Sequence, residues 1–418
     1  MIIPPRYIYG LDSTSTNTAK TPYDDKFIGK LAPMTTTVKT KEIQDKGYII
    51  VRECVPPDQL GSLRGHCEQM VERHKQWWAD NRQPHEPPGG EWESGPQPRV
   101  LFDRVVDREA TDAIDFVFHQ NTYGISQQLM QSEEVAPLQF GMFCNPRVDH
   151  GPWDWHRDIR SWREGPLEGL FTDFLANPPA YTQWNIALYD DGVLWVIPGS
   201  HRRFNTEAEN EQLSRSEHER VGGGIPVELK AGDGVVYLNT ILHWGSNYST
   251  KLRRTLQYTY RAFGNGVYPH AHSYVWRPEL VDRLPAHLAT KFQHFLQLEH
   301  HEHDLIERIF RAIISKDGTT FRQRLAELHA REEGRMTCLV LLSKRARSVA
   351  HSPREPMRDR FTVAERELLW QRFIPLDGLL QTDSPQLVPG FQNKEPTPYI
   401  FNEMPDWDVD DFVISWDK

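Results

Sequence analysis

A mainly β core embraced by helices is the fold class that this 418-residue sequence predicts. Three observations point to it. From about residue 135 to 265, short apolar and aromatic runs are broken by Gly, Pro, Asn and Asp, the texture of an antiparallel barrel or a double-sheet sandwich. After Trp276 the apolar residues recur at three- and four-residue spacing, as on helices. The composition, 38% hydrophobic, 25% charged and 11% aromatic, is that of an ordinary globular chain.

Taken in order, residues 1–44 are rich in Thr, Ser, Lys and Asp without periodicity and predict an irregular N-terminal arm. Gly47-Tyr48-Ile49-Ile50-Val51-Arg52 is a β-branched run and predicts a strand. Pro56-Pro57-Asp58 then opens a helix, with Leu60, Leu63, Cys67, Met70 and Val71 on one face. Residues 82–99 hold five prolines and three glycines and predict a long loop, inserted in the core. Candidate strands follow at 138–143, 183–188, 193–197, 227–229, 234–238 and 255–261. Leu288, Phe292, Phe295, Ile306, Ile309 and Ile313 mark one amphipathic helix, and a second series runs from Phe321 to about Leu342. Thr362-Val363-Ala364-Glu365 is a capping box for a short helix through Phe373. The tail from Asp406 is acidic and aromatic. Residues 45–265 thus form the core, and 266–418 a helical extension packed on it.

Several classes of function are excluded early. The longest apolar runs, such as Cys338 to Leu342, are far too short for a bilayer span. A net charge of −10, from 48 basic and 58 acidic residues, has the wrong sign for holding nucleic acid by its phosphates. Four scattered cysteines make neither a disulfide framework nor a CxxC zinc site. The start, Met1-Ile2-Ile3-Pro4-Pro5-Arg6, lacks a secretion-signal layout, so a cytoplasmic enzyme or binding protein is expected. An apolar helical face in the extension is a candidate homo-oligomer interface.

The chemistry sits in the β region. In His156-Arg157-Asp158, residues i and i+2 share a face of a strand, so His156 and Asp158 reach one ion while Arg157 points away. His243 ends an apolar run downstream. Two imidazoles and one carboxylate make the facial triad of non-heme Fe(II) oxygenases, leaving the opposite face open. Arg254 lies eleven residues beyond His243, where a guanidinium fork suits a carboxylate. Arg253 competes with it, since side chains alternate along a strand. Gln139 is a polar residue on a candidate inward strand. Trp162, Trp195, His201 and Arg202 are candidate substrate contacts. The histidines at 294, 300, 301 and 303 lack an HExxH pattern and read as a solvated helix.

These residues resemble the phytanoyl-CoA dioxygenase-like family of Fe(II)- and 2-oxoglutarate-dependent oxygenases. The likeness rests on Gly47 to Val51 with its helix, Trp155-His156-Arg157-Asp158, the segment Leu194 to Arg202 with Pro198-Gly199-Ser200-His201, Lys230 to Val236, and His243 through Arg254. It covers roughly residues 45–265. It implies a double-stranded β-helix (jelly roll) core, Fe(II) on His156, Asp158 and His243, and 2-oxoglutarate anchored by Arg254 with Gln139 nearby. O2 would be consumed, succinate and CO2 released, and a small molecule, most naturally a specialised metabolite, hydroxylated. Related halogenases carry a small residue where Asp158 stands, so halogenation is not implied. Desaturation, epoxidation or ring rearrangement at the same iron, or a non-catalytic jelly-roll binding protein, are the alternative readings.

Overall fold

The computed structural model describes residues 40–106, 111–264, 274–393 and 395–417. In chain order its strands are β1 (Tyr48–Val51), β2 (Arg99–Leu101), β3 (Val135–Cys144), β4 (Gly151–Pro152), β5 (Tyr181–Ala187), β6 (Trp195–Val196), β7 (Ile225–Pro226), β8 (Gly234–Tyr237), β9 (His243–Trp244), β10 (Ser246–Asn247), β11 (Arg254–Ala262), β12 (Gln381–Gln386) and β13 (Thr397–Tyr399). The main sheet is antiparallel throughout, in the order β1-β8-β5-β11-β3-β2. A smaller sheet, β7-β6-β9, continues through a bridge between His243 and His156 and another between Arg157 and Phe391.

The main sheet has two different faces. On β11 the even residues Leu256, Tyr258 and Tyr260 join the large hydrophobic core, against the helix Pro57–Asn81 and the segment 112–130. The odd residues Gln257 and Thr259 line a cavity between the sheets. Both faces are covered, so β3 and β11 are buried along nearly their whole length rather than in the alternating pattern of a half-exposed sheet. Ala187, Val196, Val227, Val235 and Ile241 close one region between the layers with apolar contacts.

The C-terminal segment carries more structure than the sequence suggested, including the strand pair β12 and β13. The helix Ala286–Ile314 buries Leu288, Phe292 and Phe295 in the sheet-backing core, then Ile306, Ile309, Phe310 and Ile313 in a helical cluster further along. The second periodic series is broken into Gly318–Leu328 and Arg335–His351. The capping box at Thr362 is present, but its helix runs on to Leu379. Three other expectations change. The arm over 1–44 lies outside the described residues up to 39, and Thr40–Lys46 is helical. The 82–99 loop carries a short helix, Glu91–Ser94. Leu167–Ala176 and Glu207–Arg215 are helices inside the β-textured region, the latter opened by a Thr206 capping box. No described helix is long and apolar enough to cross a membrane.

Candidate active site

The smaller sheet brings together His156 and His243, far apart in sequence. Each donates its backbone N–H to the other's carbonyl, at 2.8 and 2.9 Å, so the two side chains project from the same side. Their ring centroids lie 4.5 Å apart. Asp158, two residues on from His156, donates its N–H to the Asn239 carbonyl and turns its carboxylate between the rings. Its oxygens lie 3.4 Å from His156 Nε2 and 3.6 Å from His243 Nε2. One ligand atom from each residue lies within 4.8 Å of the others.

The tautomers suit a cation. His156 Nδ1 sits 2.6 Å from the Asp154 carbonyl and His243 Nδ1 2.9 Å from the Ile241 carbonyl. A carbonyl only accepts, so each Nδ1 carries the proton and each Nε2 lone pair faces Asp158. Burial pushes His243 down to about 4, and neighbouring His156 acts in the same direction. Burial alone would raise the Asp158 carboxyl, but His243, His156 and the Gln183 amide hold it well below the usual carboxylate range. Burial alone would lower His156, but Asp158 beside it holds that imidazole above its ordinary value, so a cation there would take the place of its Nε2 proton; a carboxylate and two imidazoles on one side of a point are the donor set of a facial Fe(II) site.

The carboxylate is held by two amides that the sequence did not single out. Gln183 Nε2 donates to Oδ2 at 2.5 Å, and Gln392 Nε2 donates to Oδ1. Gln183 was legible in principle: with Asn185 it forms a polar period-two pair on an otherwise apolar strand. Gln392 carried no such signal.

The triad opens into a cavity of about 560 Å³ between the sheets. Gln139 lines it and donates to Gln257 at 3.3 Å. Arg254 does not. It lies on the opposite face of β11, in an ion pair with Glu68 at 2.9 Å. The cavity-facing guanidinium is that of Arg253, whose Nε donates to Asp191 at 3.0 Å while Thr255 donates to the same carboxylate. Alternation along the strand was right; its phase, set by the pairing of β11 with β3 and β5, was not readable from spacing. Arg99, on edge strand β2, lines the cavity too and stacks on Phe143, as does Arg253.

The four proposed substrate contacts all lie off the cavity wall. Trp162 is exposed. Trp195 is covered by Arg220 and meets the edge of Trp244. His201 is buried against Phe174, with Nε2 2.9 Å from the Gln44 carbonyl, and Arg202 faces Asp45. The family-like PGSH segment therefore anchors the first helix rather than the pocket. Among the helix histidines, His294 faces Glu134, His300 faces Asp304 and His303 faces Arg345, and no metal cluster other than the triad occurs among the described residues.

The model of the family described as phytanoyl-CoA dioxygenase (PhyH) matches residues 43–256, and the chain belongs to that family. It is a non-heme enzyme that uses Fe(II) and 2-oxoglutarate. No relative among curated proteins matches. Among solved structures, AviO1 from Streptomyces viridochromogenes Tue57 is 18% identical, with a TM-score of 0.38 over 53% of this chain and 92% of that one. The apoform of EctD from S. alaskensis is 17% identical, with a TM-score of 0.40 over 58% and 81%. The epimerase SnoN from nogalamycin biosynthesis is 14% identical, with a TM-score of 0.37 over 54% and 82%.

Proposed function

We propose that this protein hydroxylates a small molecule, with Fe(II) held by His156, Asp158 and His243 and the distal carboxylate of 2-oxoglutarate held by Arg253. The observation that carries the reading is the pair of histidines with Nδ1 locked on carbonyls and Nε2 turned to one carboxylate, at the wall of the cavity that Arg253 enters. When bound, iron and 2-oxoglutarate supply the oxidising power: O2 is consumed, succinate and CO2 leave, and a C–H bond of the substrate is oxidised.

The chain's own part is orientation. Asp191 and Thr255 fix one side of the Arg253 guanidinium and leave its terminal nitrogens for a carboxylate fork. Arg99, on the same ring of Phe143, adds a second positive charge at that end of the cavity. Gln183 and Gln392 hold the Asp158 carboxylate in one orientation, as outer hydrogen-bond partners of metal ligands do. Sheet-on-sheet burial around the triad keeps bulk water from the reacting bond.

In this reading the two sheets are the halves of a double-stranded β-helix. Residues 45–265 are the catalytic core, and 266–418 complete its rim. A specialised metabolite is the substrate class favoured. The test is succinate release from 2-oxoglutarate by the iron-loaded protein over a panel of small molecules, with hydroxylated product sought by mass. A panel member that stimulates succinate release and gains one oxygen supports the reading. Product that has instead lost two hydrogens would replace hydroxylation with desaturation.

A further inference from the structure

The triad side chains stand on a sheet with very little ladder of its own. β9 is two residues long, and the chain at 156–158 joins it through one bridge, His156 with His243. Such a pair supplies two backbone bonds, and Asp158 adds one more, from its N–H to the Asn239 carbonyl. A ladder this short fixes the spacing of its chains weakly.

What the backbone omits, one side chain supplies. Arg157 lies between His156 and Asp158, projects from the opposite face of the chain, and is fully buried. Its Nη1 donates to the Ser200 carbonyl at 2.6 Å and to the Thr240 carbonyl. Its Nη2 donates to Asn205 Oδ1 at 2.7 Å and to the Arg203 carbonyl at 3.3 Å. Ser200 passes the link on, because its Oγ accepts the N–H of Leu242, the neighbour of His243, at 2.8 Å. One guanidinium thus ties the chain of His156 and Asp158 to the segment 240–242 that leads into His243, once directly and once through Ser200.

All four acceptors are neutral. Arg157 makes no ion pair among the described residues, and Glu209, a carboxylate whose charge reaches it, is forked by Arg203 at 2.7 Å. A buried charge without a carboxylate beside it carries a desolvation cost that an apolar residue of similar size would avoid. Its positive charge would also repel a metal cation rather than attract one. What a guanidinium adds is a rigid planar fork, with donors in fixed directions towards several chains at once.

Resting on the reading of the triad as a metal site, we propose that Arg157 is the positioning residue of that site. Its fork, acting through Thr240 and Ser200, fixes His243 relative to His156 and Asp158 and so sets the coordination geometry of the bound ion.

Cobalt(II) is the probe, because its d–d absorption reports ligand number and geometry whether or not the enzyme turns over. The full-length metal-free protein, Arg157→Lys, Ser200→Ala and the double variant are titrated with Co(II) and followed by visible absorption, with thermal midpoints measured alongside. Arg157→Lys keeps the charge and loses the fork, and is expected to weaken Co(II) binding about tenfold and to shift the d–d bands. Ser200→Ala cuts only the second route and should weaken binding about threefold, with less than that added in the double variant because both residues act along one chain of contacts. A lowered thermal midpoint with unchanged bands and Kd in Arg157→Lys would overturn the proposal, leaving Arg157 a purely structural residue. So would effects of the two substitutions that add in full. Should Arg157→Lys fail to fold, Ser200→Ala decides alone, and unchanged bands and Kd there would equally overturn it. A wild type that binds no Co(II) would instead sink the metal reading beneath it.

Discussion

Arg253, just before β11, and Arg254, its first residue, have opposite surroundings, and their substitutions should separate cleanly. Arg253→Gln is expected to raise the Kd of 2-oxoglutarate about 30-fold, since one charge-assisted fork is lost. Arg254→Gln should leave that Kd within about threefold and cost about 1 kcal/mol of stability, a modest effect because Glu68 is partly exposed. Calorimetric titration of both variants checks the ranking; the reverse order would return the cosubstrate to the other face of β11. His74 offers a test of the core. It is fully buried against Trp77 and Trp78, and burial pushes its pKa down to about 3, with Arg104 adding to the effect. The unfolded chain takes up this proton near pH 6.5, the folded one only near 3. Stability contributed by the neutral ring is therefore present above pH 6.5 and lost as pH falls towards 3, by up to about 1.4 kcal/mol per unit. His74→Phe should flatten the acid limb of a stability-versus-pH curve measured by urea unfolding; an unchanged slope would show that the ring is not held neutral.

Among elements, the segment around Gly390 to Gln392 matters most for its size. Gln392 reaches Asp158 across 234 positions of sequence, and it does so because backbone hydrogen bonds lay the segment beside the chain that carries His156 and Asp158. Gln392→Ala should weaken Fe(II) binding about tenfold, as loss of an outer hydrogen bond to a metal ligand does, with the thermal midpoint nearly unchanged. Unaltered iron affinity would mean that Gln183 alone orients the carboxylate. The same element marks the limit of reading by eye. HxD and the distal histidine were legible because the period-two rule puts i and i+2 on one face wherever the strand lies. The strand β1 and the helix after it were legible from apolar spacing. Arg253, Gln392 and the true cavity wall were not, because each depends on which strand lies beside which, a property of long-range pairing. Trp195, His201 and Arg202 misled for the same reason: nearness to a motif in sequence is not nearness to the cavity.

For the whole molecule, the helix Ala286–Ile314 ties the sheet-backing core to the C-terminal helical cluster, because its two halves are buried in different cores. The buried Arg261–Glu302 ion pair fastens β11 to that helix near its middle. Glu302→Ala removes the buried carboxylate that Arg261 meets and should cost about 3 kcal/mol. Both cores should lose structure in one transition when followed by near-ultraviolet circular dichroism and by hydrogen exchange. Two separated transitions would show that the extension folds independently and only docks. Sequence periodicity found this helix and its apolar face, yet could not tell which partners each half would meet.

Everything functional turns on the triad and Arg253 acting as one iron and 2-oxoglutarate site. The most direct measurement is an anaerobic titration of the metal-free protein with Fe(II) and then 2-oxoglutarate, followed by visible absorption. A weak charge-transfer band that appears only after 2-oxoglutarate, saturates near one equivalent, and is lost in His243→Ala is the expected result. Iron binding without that band in the wild type, or a band that survives His243→Ala undiminished, would contradict it.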